Sequence, residues 1–136
     1  MNTIYQVIDS GVLDALDLNC AEKIVYAADR AYGLNLPKEA LKLSAGFGGG
    51  MGIMSVCGAL TGAVMVLSHL FVEDHAHESG RIKELTKELF TRYNHGMGAI
   101  NCGTLKTRYR RADIGCKNVI LAAAEILDDI IARERG

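Results

Sequence analysis

Residues 53–72 run for 20 positions without an Asp, Glu, Lys or Arg, and a glycine-rich segment, GFGGGMG, stands directly before them. A run of that length has two outlets: a membrane span or a helix buried on every side. Ser55, Thr61, Ser68 and His69 interrupt the apolar character, and the basic flanks that orient a span are missing. The run therefore predicts a central, buried helix over about residues 56–71, and no stable membrane span.

Around that helix the remaining periodicity is helical, with one proline in the whole chain and little strand-like alternation. A short amphipathic segment covers about residues 3–10. A second helix starts near Cys20, carries Ala21, Ile24, Val25, Ala28 and Tyr32 on one face, and stops at Gly33. Pro37 opens a short helix to Leu43. Beyond the apolar helix, Ile82, Leu85, Leu89, Phe90 and Tyr93 mark an amphipathic helix ended by Gly96 and Gly98. A short helical turn begins at Asn101. A last helix runs from about Asp113 to Arg133, with Cys116, Val119, Ile120, Ala123, Leu127, Ile130 and Ile131 inward. The expected fold is all-α: residues 1–136 form one domain, a compact bundle of about five helices around one apolar central helix.

Half the residues are hydrophobic (49%) and the net charge is −1. This balance suits a packed globule and gives no reason to expect nucleic acid as a partner. The basic run KTRYRR at residues 106–111 reads as a solvated loop, with docking of an acidic partner as the alternative. The N-terminus lacks the basic-then-apolar pattern of a signal peptide, which points to a cytoplasmic, reducing setting. In such a setting four cysteines are expected to be metal ligands or reactive thiols rather than structural disulfides.

Cys20, Cys57, Cys102 and Cys116 contain no CxxC pair. Instead each falls at an expected helix start, after Asn19, the glycine segment, Asn101 and Asp113 respectively. Unpaired N–H groups and the positive end of the dipole favour thiolate there. Four thiolates brought together repel and need a compensating metal, cluster, protons or disulfides. Gly48, Gly49, Gly50 and Gly58 would let backbone close on such a site and offer N–H groups to sulfur. The methionines at 51, 54, 65 and 97 read as packing and His69 as a core histidine. His75, His77 and His95 read as solvated or end-of-helix residues. No catalytic acid, base or Ser/His/Asp grouping is assigned.

The chain resembles the family of redox-active proteins recognised by a C…CGAxxG…C…C pattern. The residues that carry the likeness are Cys57-Gly58-Ala59-Leu60-Thr61-Gly62, the preceding GFGGGMG, NCAEKIVYAA around Cys20, GAINCGTL around Cys102, and Cys116. The resemblance implies an all-α fold and a redox or metal-linked role for the four cysteines. A related helical domain occurs in split-Soret cytochromes, where similar cysteines hold an iron–sulfur cluster beside haem; no CxxCH is present here, so haem is not carried over.

Four readings follow. The first is an iron–sulfur cluster of the [2Fe–2S] type held by Cys20, Cys57, Cys102 and Cys116, serving electron transfer to a redox partner protein. The second is a metal-free thiol–disulfide oxidoreductase or redox sensor with Cys57 as the attacking thiol. A structural zinc site is the third. The fourth is a non-redox helical interaction module. A homodimer is compatible with the apolar helices, though no interface is legible.

Overall fold

The computed structural model describes residues 2–135. Seven α-helices follow one another: α1 (Ile4–Asp9), α2 (Cys20–Tyr32), α3 (Lys38–Leu41), α4 (Gly58–Phe71), α5 (Arg81–Met97), α6 (Cys102–Tyr109) and α7 (Lys117–Arg135). Short 3₁₀ turns and one wound loop fill the gaps, and no strand occurs among the described residues. The protein is all-α, with seven helices where the periodicity predicts about five.

The uncharged run does become the centre. Ala59, Leu60, Ala63, Val66 and Leu67 of α4 are buried, and α2, α5 and α7 pack around them. No described helix is long and apolar enough to cross a membrane. The inward stripes anticipated for α2, α5 and α7 largely supply the surrounding core. Each fully buried leucine, such as Leu60, Leu89 or Leu127, contributes about 1.5–3 kcal/mol from water-avoidance alone.

Helix ends follow their local chemistry. Asn19 caps α2 by accepting the Glu22 N–H, and Glu22 returns the favour to the Asn19 N–H at 2.9 Å. Gly33 and Gly98 stop α2 and α5 in left-handed backbone. Several boundaries differ from expectation. α5 runs through Gly96 to Met97, because a glycine inside a packed helix costs only about 1 kcal/mol. α7 begins at Lys117 rather than Asp113, because residues 111–115 close a tight turn first. Gly115 sits there at φ 60° and exchanges hydrogen bonds with Arg111.

His69 is exposed near the end of α4 and is not a core residue. Met51 and Met54 are also exposed, whereas Met65 and Met97 pack against the core as anticipated.

Candidate functional site: a cavity lined by four cysteines

The four cysteines come from four separate segments and line one cavity of about 500 Å³. All four are free thiols. Cys20 is the first residue of α2 and Cys102 the first of α6. Cys57 is the N-cap of α4, and Cys116 directly precedes α7, its carbonyl accepting the Ile120 N–H. The placement at helix starts therefore holds for each.

The chain brings them together by two devices. One is a short antiparallel bridge. The Cys57 N–H donates to the Ile100 carbonyl at 2.8 Å, and the Cys102 N–H to the Ser55 carbonyl at 2.6 Å, with Val56 opposite Asn101. That bridge sets Cys57 and Cys102 side by side. The second device is glycine as a missing side chain. A Cβ at Gly62 would lie 2.7 Å from the Ala21 carbonyl oxygen, and one at Gly58 would lie 3.1 Å from the Phe47 oxygen and 3.4 Å from the Cys20 Cβ. Helices α2 and α4 can thus touch backbone to backbone, which carries Cys20 to Cys57.

The glycine segment before Cys57 serves the same end. A side chain on Gly48 would collide with Asn19, the cap of α2, whose amide also donates to the Ala45 carbonyl at 2.8 Å. One on Gly50 would lie 2.5 Å from the Ser55 nitrogen and 2.8 Å from the Cys102 Cβ. Gly49 and Gly58 line the cavity; Gly48 and Gly50 do not, and act by close packing behind it. The N–H groups that reach the Cys57 sulfur belong to Ala59 and Leu60, at the start of α4, not to the glycine segment.

Electrostatics reverse one expectation. Burial pushes the Cys20 thiol up to about 12, the thiols of Cys57, Cys116 and Cys102 push the same way, and Lys23 opposes them. Burial also raises Cys57, outweighing the N–H groups of Ala59 and Leu60. For these two residues, removal from water exceeds the helix-start effect that favours thiolate. The mutual influence of the thiols is itself a sign of their nearness.

Four cations share the cavity: Lys23, Lys106, Arg110 and Lys117, against a single carboxylate, Asp17. Sequence reading did not place them at the cysteines and took residues 106–111 for a solvated loop or an acidic-partner contact, whereas residues 106–109 belong to α6. A signal was present. Lys23 follows Cys20 by three positions and Lys106 follows Cys102 by four, so each shares a helix face with its cysteine. Tyr93 was read only as core. It is fully buried, its hydroxyl donates to the Val119 carbonyl at 3.1 Å, and it also lies within hydrogen-bonding reach of the Cys57 sulfur.

Among the described residues, no three His, Cys, Asp or Glu side chains are grouped so as to hold a metal ion. The four thiols face one space without converging on one point.

A family model described as "Putative redox-active protein (C_GCAxxG_C_C)" matches residues 18–130. The chain belongs to this C_GCAxxG_C_C family. The matched span contains all four cysteines and every glycine whose packing is described above. In this member the central motif reads Cys57-Gly58-Ala59-Leu60-Thr61-Gly62. With cysteine ahead of glycine, the sulfur sits at the cap facing the cavity, and the glycine takes the first helical position against Ala21. Neither the curated proteins nor the solved structures searched contain a match to the chain.

The backbone beside the site is strained. Met51 at φ 62° and Met54 at φ 58° hold left-handed conformations within the loop Gly50–Met54. For non-glycine residues this costs on the order of 1 kcal/mol each. The loop puts the Met54 thioether 3.9 Å from the Cys102 sulfur and 4.0 Å from the Lys106 ammonium.

Proposed function

We propose that Cys20, Cys57, Cys102 and Cys116 together hold one iron–sulfur cluster, of the [2Fe–2S] type, and that the protein carries single electrons between redox partners. One observation carries this reading: four thiols delivered by four separate segments line one shared cavity.

The donor set fits such a group. Four thiolates satisfy a cluster's ligand requirement, and when bound the cluster supplies one-electron oxidation and reduction. A mononuclear zinc site needs its sulfurs gathered on one atom about 2.3 Å away, and no described group of three side chains is so arranged. A polynuclear centre accepts ligands that ring a space. Lys23, Lys106, Arg110 and Lys117 offset the negative charge that four thiolates bring. The Ala59 and Leu60 N–H groups donate to the Cys57 sulfur, an interaction that favours the more negative state and so raises the reduction potential. Buried Leu105, Val119 and Ile120 give the cavity an apolar inner wall.

The metal-free oxidoreductase reading gains less. An attacking Cys57 must be thiolate, and burial raises its pKa instead.

The test is anaerobic purification followed by visible absorption and iron and sulfide analysis, on wild type and on Cys57→Ser. Iron with sulfide and a visible band, lost in the variant, is the expected result. Absence of iron under strict exclusion of oxygen overturns the proposal, and redox titration of the thiols then tests a dithiol switch.

A further inference from the structure

An electron carrier must meet its partner, and one wall of the cavity lies close to an unusual surface. Cys102 is nearly buried, yet its sulfur is 3.9 Å from the Met54 thioether, and Met54 is 47% exposed. Met51 at 41% and Ile53 at 76% stand on the same loop. These apolar side chains are thus held out to solvent on a backbone in which Met51 and Met54 are both left-handed. Strain kept where it earns no packing is characteristic of a working surface.

Charge says what that surface fits. Lys106 touches the loop at Met54 and, with Arg110, lines the cavity behind it, and neither pairs with a carboxylate among the described residues. By contrast, Lys23 and Lys117 lean on Asp14 and Asp9. The chain as a whole carries −1, so the four cations around the cavity, set against the one carboxylate Asp17, are a local excess. An apolar centre beside unpaired cations complements an apolar contact ringed by carboxylates. A second copy docking through the same face would set cation against cation.

We propose that Met51, Ile53 and Met54, bordered by Lys106 with Arg110 on the cavity beyond it, dock an acidic one-electron redox protein, and that Cys102 and Met54 form the shortest path between its cofactor and the four-cysteine site. One electron is exchanged: the site loses it and the partner's cofactor gains it, or the reverse, with no bond or proton transferred. The electron's origin rests on the cluster reading above; the docking face does not.

The test uses a flavodoxin, chosen as a small acidic one-electron carrier, and the anaerobically purified protein. Affinity is measured calorimetrically at low and high salt for wild type, Ile53→Ser, the pair Lys106→Glu with Arg110→Glu, and Lys83→Glu on the distant start of α5. Reduction of the visible band by flavodoxin hydroquinone is followed in parallel. The expected result is binding that weakens with salt, at least tenfold with the charge reversals and severalfold with Ile53→Ser, but not with Lys83→Glu. Because Lys106 and Arg110 also line the cavity, Ile53→Ser, which does not, keeps the test independent of site assembly. Three outcomes overturn the proposal: no binding at low salt, binding indifferent to Ile53→Ser and the charge reversals, or a wild-type dimer that Ile53→Ser converts to monomer. Binding with the expected pattern but no visible band to reduce upholds the docking face and defeats the cluster reading.

Discussion

The two ends of this bundle are built by different means. Where α5 and α7 pack together, the structure is regular: Leu85, Leu89, Leu127, Ile130 and Ile131 fill the interior, and Glu88 meets Arg133 and Arg92 on the surface. At the cysteine end, residues 46–57 follow no regular element for long, five glycines stand within seven residues from Gly46 to Gly52, and two methionines adopt left-handed backbone. Stability accumulates at the first end through side-chain volume. At the second, side chains are removed so that backbones can meet, and geometry is gained at the expense of packing. The difference explains why the glycines cluster where the cysteines do.

The comparison can be broken most sharply by thiol chemistry. At pH 8 the Cys20 thiolate should be roughly a thousandfold scarcer than that of a thiol at its ordinary value, because burial and the neighbouring thiols raise it to about 12. Mass-spectrometric alkylation of metal-free protein should therefore label Cys20 far more slowly in the native state than in urea. The linkage has a definite sign. Between about 9 and 12 the unfolded thiol ionises before the folded one, so the folded state holds more protons and stability falls as pH rises through that window. Urea melts of the metal-free protein at successive pH values check it; a stability that climbs as pH approaches 9 and levels off above it would show the thiol to be lowered.

Next in size is Leu127→Ala. Leu127 is fully buried at the regular end, and its truncation should cost 2–5 kcal/mol, of the order found for buried leucines. Cys20 should keep its slow native alkylation. Gly62→Ala should cost less, about 1–3 kcal/mol. Yet it forces a Cβ toward the Ala21 carbonyl, 2.7 Å away, and moves α2 from α4. Cys20 reactivity should rise, and iron uptake should fall in the anaerobic preparation. If both substitutions alter stability and thiol reactivity in proportion, the two ends are one cooperative structure and the distinction fails. The smallest effect is expected of Asn19→Ala, about 1 kcal/mol for a lost cap. Because Asn19 also ties α2 to Ala45, thiol labelling should increase by more than that figure alone suggests.

How legible was this in the sequence? The apolar run, the stripes on α2, α5 and α7, and the helix starts at Cys20 and Cys102 are local properties, written in spacing and caps. That α4 would be central follows from its lack of charge. The Val56–Asn101 bridge joins segments far apart in the chain and leaves no local periodicity. The left-handed methionines were read as packing, since nothing in a lone Met signals positive φ. The thiol pKa values went the wrong way because a helix start is visible in sequence and its depth in the core is not. Lys106 and Arg110 were hidden by their own neighbours: within KTRYRR, Arg108 turns to the Gly98 carbonyl and Arg111 to Asp113, while the other two face the cavity.

The scattered origin of the four thiols bears on how the site comes into being. The last of them, Cys116, follows every described helix but α7. A chain still emerging from the ribosome, or one cut short before that point, owns at most three of the four cysteines and lacks the helix that Cys116 opens. No product that stops before Cys116 can assemble the complete site, so the four-thiol cavity certifies that the chain has been made and folded at least to the residue that opens α7.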